Sequence, residues 1–553
     1  MKKMYAIVAL LLLLALGLWA CGGGGDAPSG DSDPVFGDSD TTTGNRDTTD
    51  GDSHADSTAG SDPAATDSSD TAGPPGGTDA PPATDPVANR FRLGANMGFR
   101  NANWDDVITA TLSAQAGCDS LRLSLPEHHL DRWGYDVEVA DMQAYAQLGF
   151  RDAVGFLTEP IRAHSTAPVS VPDGDLVRFA PAGLYEPVLL DDGSINPQNH
   201  WGHYVYNAVR TYHPWIKVWE IWNEPDYTDN WPDTLTWTEV PPTAAQLPRF
   251  NGDIYAYIRM LRVSKEAARL ADPEALIATG GIGYASFLDA LTRYTDNPLD
   301  GSVTEQYPHK GGAYFDVLSF HHYPIYTPGN SDAGVRSYLS QLAELRAVLD
   351  KAGVSVARIE TTETGAPRFA LGGYPGGDAY AAHYLAKVMV AARQAGVHGI
   401  DWFSLNDSAA LGESQFPYDY MGLYYDILGL DDPADARLSP SGEALRTLSR
   451  WWAGWSYDAL GTEALLASFA AEHRVQGAAF SRSGDGRAMW VLWVADPGEA
   501  REDLSLSVPL GAAGNADIVS IDGETLAGED VALDGPPWSL PLHSAPSRFI
   551  ITH

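Results

Sequence analysis

Between Phe91 and about Trp452, short apolar runs alternate with longer stretches in which apolar residues recur every three or four positions. The short runs read as buried strands and the longer ones as amphipathic helices. Eight strands are predicted: "FRLGANM", "SLRLSL", "AVGFLTEP", "KVWEIWNEP", "LIATGGIG", "FDVLSFHHYP", "RIETTETG" and "GIDWFSLND". Helical segments lie between them at Trp104 to Gly117, His200 to Tyr212, Ile254 to Ala271, Tyr338 to Ala352 and Ala379 to Ala395. Several are followed by stop signals: Gly117, Pro214, Pro273, Gly353 and Gly396. Such alternation builds a parallel sheet with helical crossovers. Eight strand–helix pairs over about 360 residues predict an α/β fold, a (β/α)8 TIM barrel with long insertions. The competing open, doubly wound sheet usually carries a glycine-rich phosphate turn after its first strand, and "RLGANMGFRN" has none.

The longest connections follow strand three (Pro160 to Pro197), strand four (Tyr227 to Phe250) and strand eight (Ser408 to Pro440), on the side where barrel enzymes build their sites. They carry Trp231, Trp237, Phe416, Tyr418 and Tyr420, rings suited to stacking on sugars or on one another. After Trp455 the period changes to alternation, with a hairpin expected around Ser483-Gly484-Asp485-Gly486. The expected division is a barrel over 89–455 and a smaller C-terminal β-sandwich domain over 456–553.

The first residues have a pattern of their own. "MKKMYAIVALLLLLALGLWAC" has two lysines, an apolar core and small residues before Cys21, the pattern of a secretory signal over 1–21. A plain signal peptide and an uncleaved anchor helix are the alternatives, although the apolar run is short for a span of about 20 residues. Residues 22–88 hold Gly, Ser, Thr, Asp and Pro with almost no large apolar side chain, and read as a disordered acidic tether. The formal net charge of −38 argues against nucleic acid or an anionic membrane surface as partner, and leaves a neutral polymer such as a glycan. Cys118 and Cys21 are the two cysteines, so no disulfide framework is expected and Cys118 reads as a buried packing residue.

Two strands end in carboxylates. "VWEIWNEPD" runs from a buried strand into Asn223-Glu224-Pro225, and Glu363 closes "RIETTETG". An ionised carboxylate at the tip of an apolar strand is costly unless it has a task. Strand tips converge at one mouth of a barrel, where two carboxylates are the equipment for glycosidic bond hydrolysis. Crowding by Trp219 and Trp222, and a facing negative charge, predict a raised pKa for Glu224. Glu360 is the rival of Glu363, and strict alternation puts the two on opposite faces. Glu159 and Glu127 also end strands and read as loop-ordering or substrate-binding groups. His321 and His322 are adjacent on a strand, face opposite sides and chelate poorly, so no metal is expected.

The region from Phe91 to about Trp452 resembles the retaining (β/α)8 glycoside hydrolases of clan A, with likeness to families 5 and 39. The matching residues are Asn223-Glu224-Pro225, Glu363-Thr364-Gly365, Arg122 in "LRLSL", His321-His322-Tyr323 and Trp402 in "DWFSL". The resemblance implies that Glu224 is the acid/base and Glu363 the nucleophile, about 5 Å apart. It further implies that Asn223 binds the sugar 2-hydroxyl, and that Arg122 and Tyr323 keep Glu363 charged. His321 would line the sugar site and Trp402 would form its floor. No cofactor is implied, and the expected partner is an oligo- or polysaccharide acted on by a monomer. The end of the signal resembles the bacterial lipobox, which implies lipid on Cys21 and a place in the cell envelope, at the outer membrane or cell surface. The alternative functions are a non-catalytic glycan-binding lipoprotein on a degenerate barrel and a structural envelope protein.

Overall fold

The computed structural model describes residues 91–98, 101, 103–469, 471–482 and 488–495, and the backbone of strands at 504–508, 514–519, 531–533, 538–542 and 548–552. The signal with Cys21, the tether and the hairpin turn at Ser483–Gly486 lie outside the described residues. Among the described residues no helix is long and apolar enough to cross a membrane.

Eight parallel strands close into a barrel in sequence order: β1 (Arg92–Asn96), β2 (Ser120–Ser124), β3 (Ala153–Leu157), β4 (Ile216–Ile221), β5 (Leu276–Ala278), β6 (Val317–His322), β7 (Arg358–Thr364) and β8 (Gly399–Trp402). Seven fall within the runs expected from the apolar pattern, and β4 begins one residue before its run, at Ile216. The barrel closes through β1 and β8, with Gly94 opposite Asp401. The helices are α1 (Asp106–Gln115), α2 (Glu127–Trp133), α3 (Val139–Leu148), α4 (His200–Tyr212), α5 (Ile254–Ala271), α6 (Ala285–Arg293), α7 (Ser331–Ala352), α8 (Asp378–Gln394) and α9 (Pro440–Trp452). Side-chain caps start several of them: Asn199 accepts from Gly202 N, Asp253 from Ala256 N and Asn330 from Ala333 N. That last cap lets α7 begin seven residues before the expected Tyr338.

Period-two alternation sorts each strand into an outer and an inner face. The outer residues, such as Trp219, Ile221, Leu318 and Phe320, join the main core beneath the helices. Val154, Val218, Ala278 and Val317 form a separate small apolar cluster inside the barrel. The rest of the lumen is ionic. Arg92 donates to both oxygens of Asp401, at 2.7 and 2.8 Å, and to Glu360 at 2.7 Å. Such buried charges persist only because each has a partner.

The C-terminal strands form a six-stranded antiparallel sheet and a two-stranded one. The larger sheet runs β14 (Val531–Leu533), β13 (Gly514–Val519), β16 (Arg548–Thr552), β11 (Ala488–Val494), β10 (Val475–Ser481), β9 (Ser456–Asp458); the smaller pairs β12 (Leu504–Val508) with β15 (Trp538–Leu542). An additional helix, α10 (Ala459–Ala467), follows β9 and was not expected from the alternating pattern. Trp493 of β11 donates to Asp332 of α7 at 3.1 Å, and the Arg393 guanidinium lies 5.0 Å from the Phe480 ring. The sheet is thereby held against the barrel's helices.

Candidate active site

The site grows from the ends of β2, β4, β6 and β7. Beyond β4 the chain turns sharply, with Trp222 at φ 71° and Glu224 at φ 44°, a left-handed region that non-glycine residues occupy at a cost. The turn is tied down by the β5 loop. Glu224 N donates to Gly280 O at 2.6 Å, while the Asp226 carboxylate accepts from Gly283 N at 2.8 Å and Tyr284 N at 2.7 Å. Burial pushes the Asp226 carboxyl up to about 7 against those two amides. Gly280 permits this approach, because a Cβ there would meet the carbonyl oxygen of Trp222 at 2.6 Å. A Cβ on Gly281 would collide with the His321 ring.

Arg122 is the hub. Its Nε donates to Glu220 at 2.7 Å, its Nη1 to Glu363 at 2.6 Å and to Asn96 at 2.9 Å, and its Nη2 to Asn223 at 3.1 Å. Burial disfavours the guanidinium, but Glu220 and Glu363 overcome that and keep it cationic. Tyr323, just past the end of β6, donates to the second Glu363 oxygen at 2.6 Å. Burial and the neighbouring Glu363 raise the Tyr323 phenol well above its usual value, so it stays a donor. His321 stands between the two carboxylates, with Nδ1 2.9 Å from a Glu224 oxygen and 3.4 Å from a Glu363 oxygen. Burial alone would lower its pKa, but Glu363 and Glu224 raise it above the ordinary imidazole value. Oxygens of Glu224 and Glu363 come within 4.8 Å of each other.

Six of the seven protein residues expected at the site are therefore brought together: Arg122, Asn223, Glu224, His321, Tyr323 and Glu363. Trp402 is not among them, which corrects the expected floor. It is fully buried, donates from its indole to Met421 O at 2.7 Å and packs on Tyr384 of α8. The reason is parity: Asp401 faces the lumen toward Arg92, so Trp402 must face out. The next residue, Phe403, places a ring beside Tyr323, the partner of Glu363, at 6.0 Å, and 6.4 Å from Tyr418.

A second correction concerns Glu360. It faces the lumen as Glu363 does, bound to Arg92 one layer deeper. The pairing of β7 shifts register between Phe320 and His321 on one side and between Thr361 and Thr364 on the other. A bulge of this kind breaks strict alternation. Glu127 and Glu159 order loops: Glu127 accepts from Ile161 N at 3.1 Å and pairs with His164, and Glu159 pairs with His128. His322 points away from the site to Gln341, at 2.7 Å. Of the loop aromatics, Trp237 and Tyr420 are buried, while Trp231 and Phe416 are exposed.

The third correction is electrostatic. Burial would raise Glu224, but Arg249 forms an ion pair with its Oε2 and, helped by His321, holds the carboxyl well below the usual carboxylate range. The facing Glu363 does not dominate, because Arg122 and Tyr323 occupy its oxygens. Arg249 lies at the end of the strand-four loop, where no periodicity marks it. Glu220 was legible in principle, since alternation with Trp219 and Ile221 places it in the lumen. There Ser319 and Thr362 donate to it at 2.9 and 2.8 Å. Glu224, His321 and Glu363 are also spaced as a metal-binding trio. Arginines on both carboxylates oppose a cation there.

No protein-family model matches the chain, and no curated protein does. Solved structures with a similar course include a glucosidase from Croceicoccus marinus, 14% identical, covering 85% of this chain and 97% of that one at a TM-score of 0.48. The catalytic domain of a GH30 xylanase C from Talaromyces cellulolyticus is 12% identical, over 84% and 96%, at 0.47. An alpha-L-arabinofuranosidase from Thermotoga maritima is 11% identical, over 84% and 96%, at 0.45. Likeness at this level carries no argument about reaction, and the barrel rests on its own strand pairing.

Proposed function

We propose that this protein is a retaining glycoside hydrolase acting on β-linked glycans by double displacement. One observation carries the reading: at the mouth of the barrel, Glu224 and Glu363 oxygens lie within 4.8 Å. Glu363 is meanwhile aimed by Arg122 and Tyr323. A gap near 5 Å leaves room for an anomeric carbon but not for an intervening water, which is the spacing of retention.

In the first step a Glu363 oxygen attacks the anomeric carbon. The glycosidic C–O bond breaks, and the leaving oxygen takes the proton of Glu224. In the second step Glu224 removes a proton from water, the hydroxide attacks the same carbon, and the Glu363 ester is released. Arg122 and Tyr323 fix both nucleophile oxygens so that little reorganisation accompanies attack. Asn223, held by Arg122, offers its amide to the 2-hydroxyl, and His321 steers Glu224. Phe403 and Tyr418 provide ring faces for the sugar.

The same proposal places the barrel on a lipid-anchored tether at Cys21 in the cell envelope, as a monomer with the C-terminal sheets as a sandwich accessory. The test is Glu363→Ala assayed on activated aryl β-glycosides with and without azide. Loss of turnover, restored in part by azide with a glycosyl azide product, supports the reading. Unchanged activity removes Glu363 from the mechanism, and absence of any turnover in the wild type across glycosides and polysaccharides favours a glycan-binding role.

A further inference from the structure

We infer that Arg249 is a receptor for a substrate carboxylate, parked on the acid/base when the site is empty, so that the preferred glycan carries a uronic acid at the leaving-group side. This rests on the hydrolase reading above, which it narrows to a substrate class.

Both oxygens of Glu224 are engaged, Oε1 by His321 and Oε2 by Arg249. With one oxygen bound to the His321 ring and the other paired with a guanidinium, Glu224 has no unengaged oxygen to present to a leaving group, so one grip must open before the first step. The His321 grip is fixed, because the ring is buried and its Nε2 is bound to Thr362 at 3.1 Å. The Arg249 grip is the movable one. Its main chain is pinned, with Trp222 Nε1 donating to Arg249 O at 2.8 Å, while the side chain reaches the mouth, 22% exposed, over the Tyr227 ring at 3.9 Å. The guanidinium can swing without moving the loop.

What draws it away is set by chemistry. A neutral sugar offers hydroxyls, which replace an ion pair poorly, whereas a carboxylate matches the guanidinium fork with two parallel hydrogen bonds. Oε1 faces His321 and, through it, Glu363, the side of the sugar being attacked. Arg249 takes the other oxygen, so its carboxylate partner belongs to the departing sugar. The charge of −38 disfavours a dense polyanion, so the occupant is an otherwise neutral glycan bearing spaced uronates.

Binding is read by calorimetry in the Glu363→Ala protein, with glucuronate-containing β-linked oligosaccharides and the carboxyl-reduced twin of each. Arg249 predicts a preference for the uronate form on the order of 10- to 150-fold. Adding Arg249→Met should bring the two forms within about threefold, and Arg249→Lys should keep part of the preference, which separates lost recognition from misfolding. Equal or tighter binding of the reduced twins, no binding of any uronate form, or a preference that survives Arg249→Met overturns the inference. Turnover of neutral aryl glycosides by the wild type judges the hydrolase reading separately. Turnover without uronate preference sinks only the receptor, and uronate preference without turnover of any glycan sinks the hydrolase.

Discussion

Replacing Arg122 by Met removes a guanidinium that is 4% exposed and serves Glu220, which is fully buried, together with Glu363, Asn96 and Asn223. The thioether fills most of the space but returns none of the four hydrogen-bonded partners. Removing one member of a buried ion pair costs about 3–5 kcal/mol, because the remaining charge stays desolvated. For a barrel of about 360 residues the unfolding entropy is roughly 0.75 kcal/mol/K, so the midpoint should fall by about 4–7 °C. Differential scanning calorimetry of Arg122→Met, Glu220→Gln and the double variant measures this. The double variant should lose less than the sum of the singles, since neutralising Glu220 removes one of the stranded charges. A midpoint within about 1 °C of wild type, or strict additivity, would refute the argument that Arg122 holds the lumen together by charge pairing.

Tyr323→Phe deletes the single oxygen that donates to Glu363 while the ring stays packed near Phe403 and Tyr418. A hydrogen bond to a charged group contributes about 1.5–3 kcal/mol, so kcat/KM on aryl glycosides should drop roughly 10- to 150-fold with the melting midpoint nearly unchanged. Arg249→Met should move the alkaline limb of the kcat/KM profile on a neutral aryl glycoside to higher pH by roughly 1–3 units. Glu224 must carry a proton to act, its activity is lost as pH rises through its pKa, and Arg249 depresses that pKa; a profile that stays put or moves to acid contradicts the assignment. Trp402→Ala should cost about 3–5 kcal/mol in chemical unfolding and leave KM of the surviving folded enzyme unchanged, whereas a floor residue would raise KM.

The barrel was legible because most strands carry an apolar face on their outside, so the pattern that marks burial also marks position; β7 is the exception, turning Thr361 and Thr364 outward to the hydroxyls of Tyr338 and Tyr384. All eight strands were expected, and the ends of α4 and α5 follow from that pattern. Glu224 and Glu363 were legible as carboxylates at the ends of strands, where a barrel has its mouth. What could not be read depended on contacts between distant segments. The direction of Trp402 is set by the pairing of Asp401 with Arg92, 309 residues away. The shared orientation of Glu360 and Glu363 comes from a bulge that no residue preference announces. The lowered pKa of Glu224 comes from Arg249, in a loop whose course is fixed by Trp222. Counting only the neighbours visible along the chain gave the wrong sign.

The account stands or falls on Glu363 attacking the anomeric carbon across a gap too narrow for water. Proton NMR of the first product formed from a β-linked substrate observes this directly, before mutarotation. The account predicts that the β-anomer appears first and the α-anomer only later. Initial release of the α-anomer would mean a single displacement by water and would contradict it.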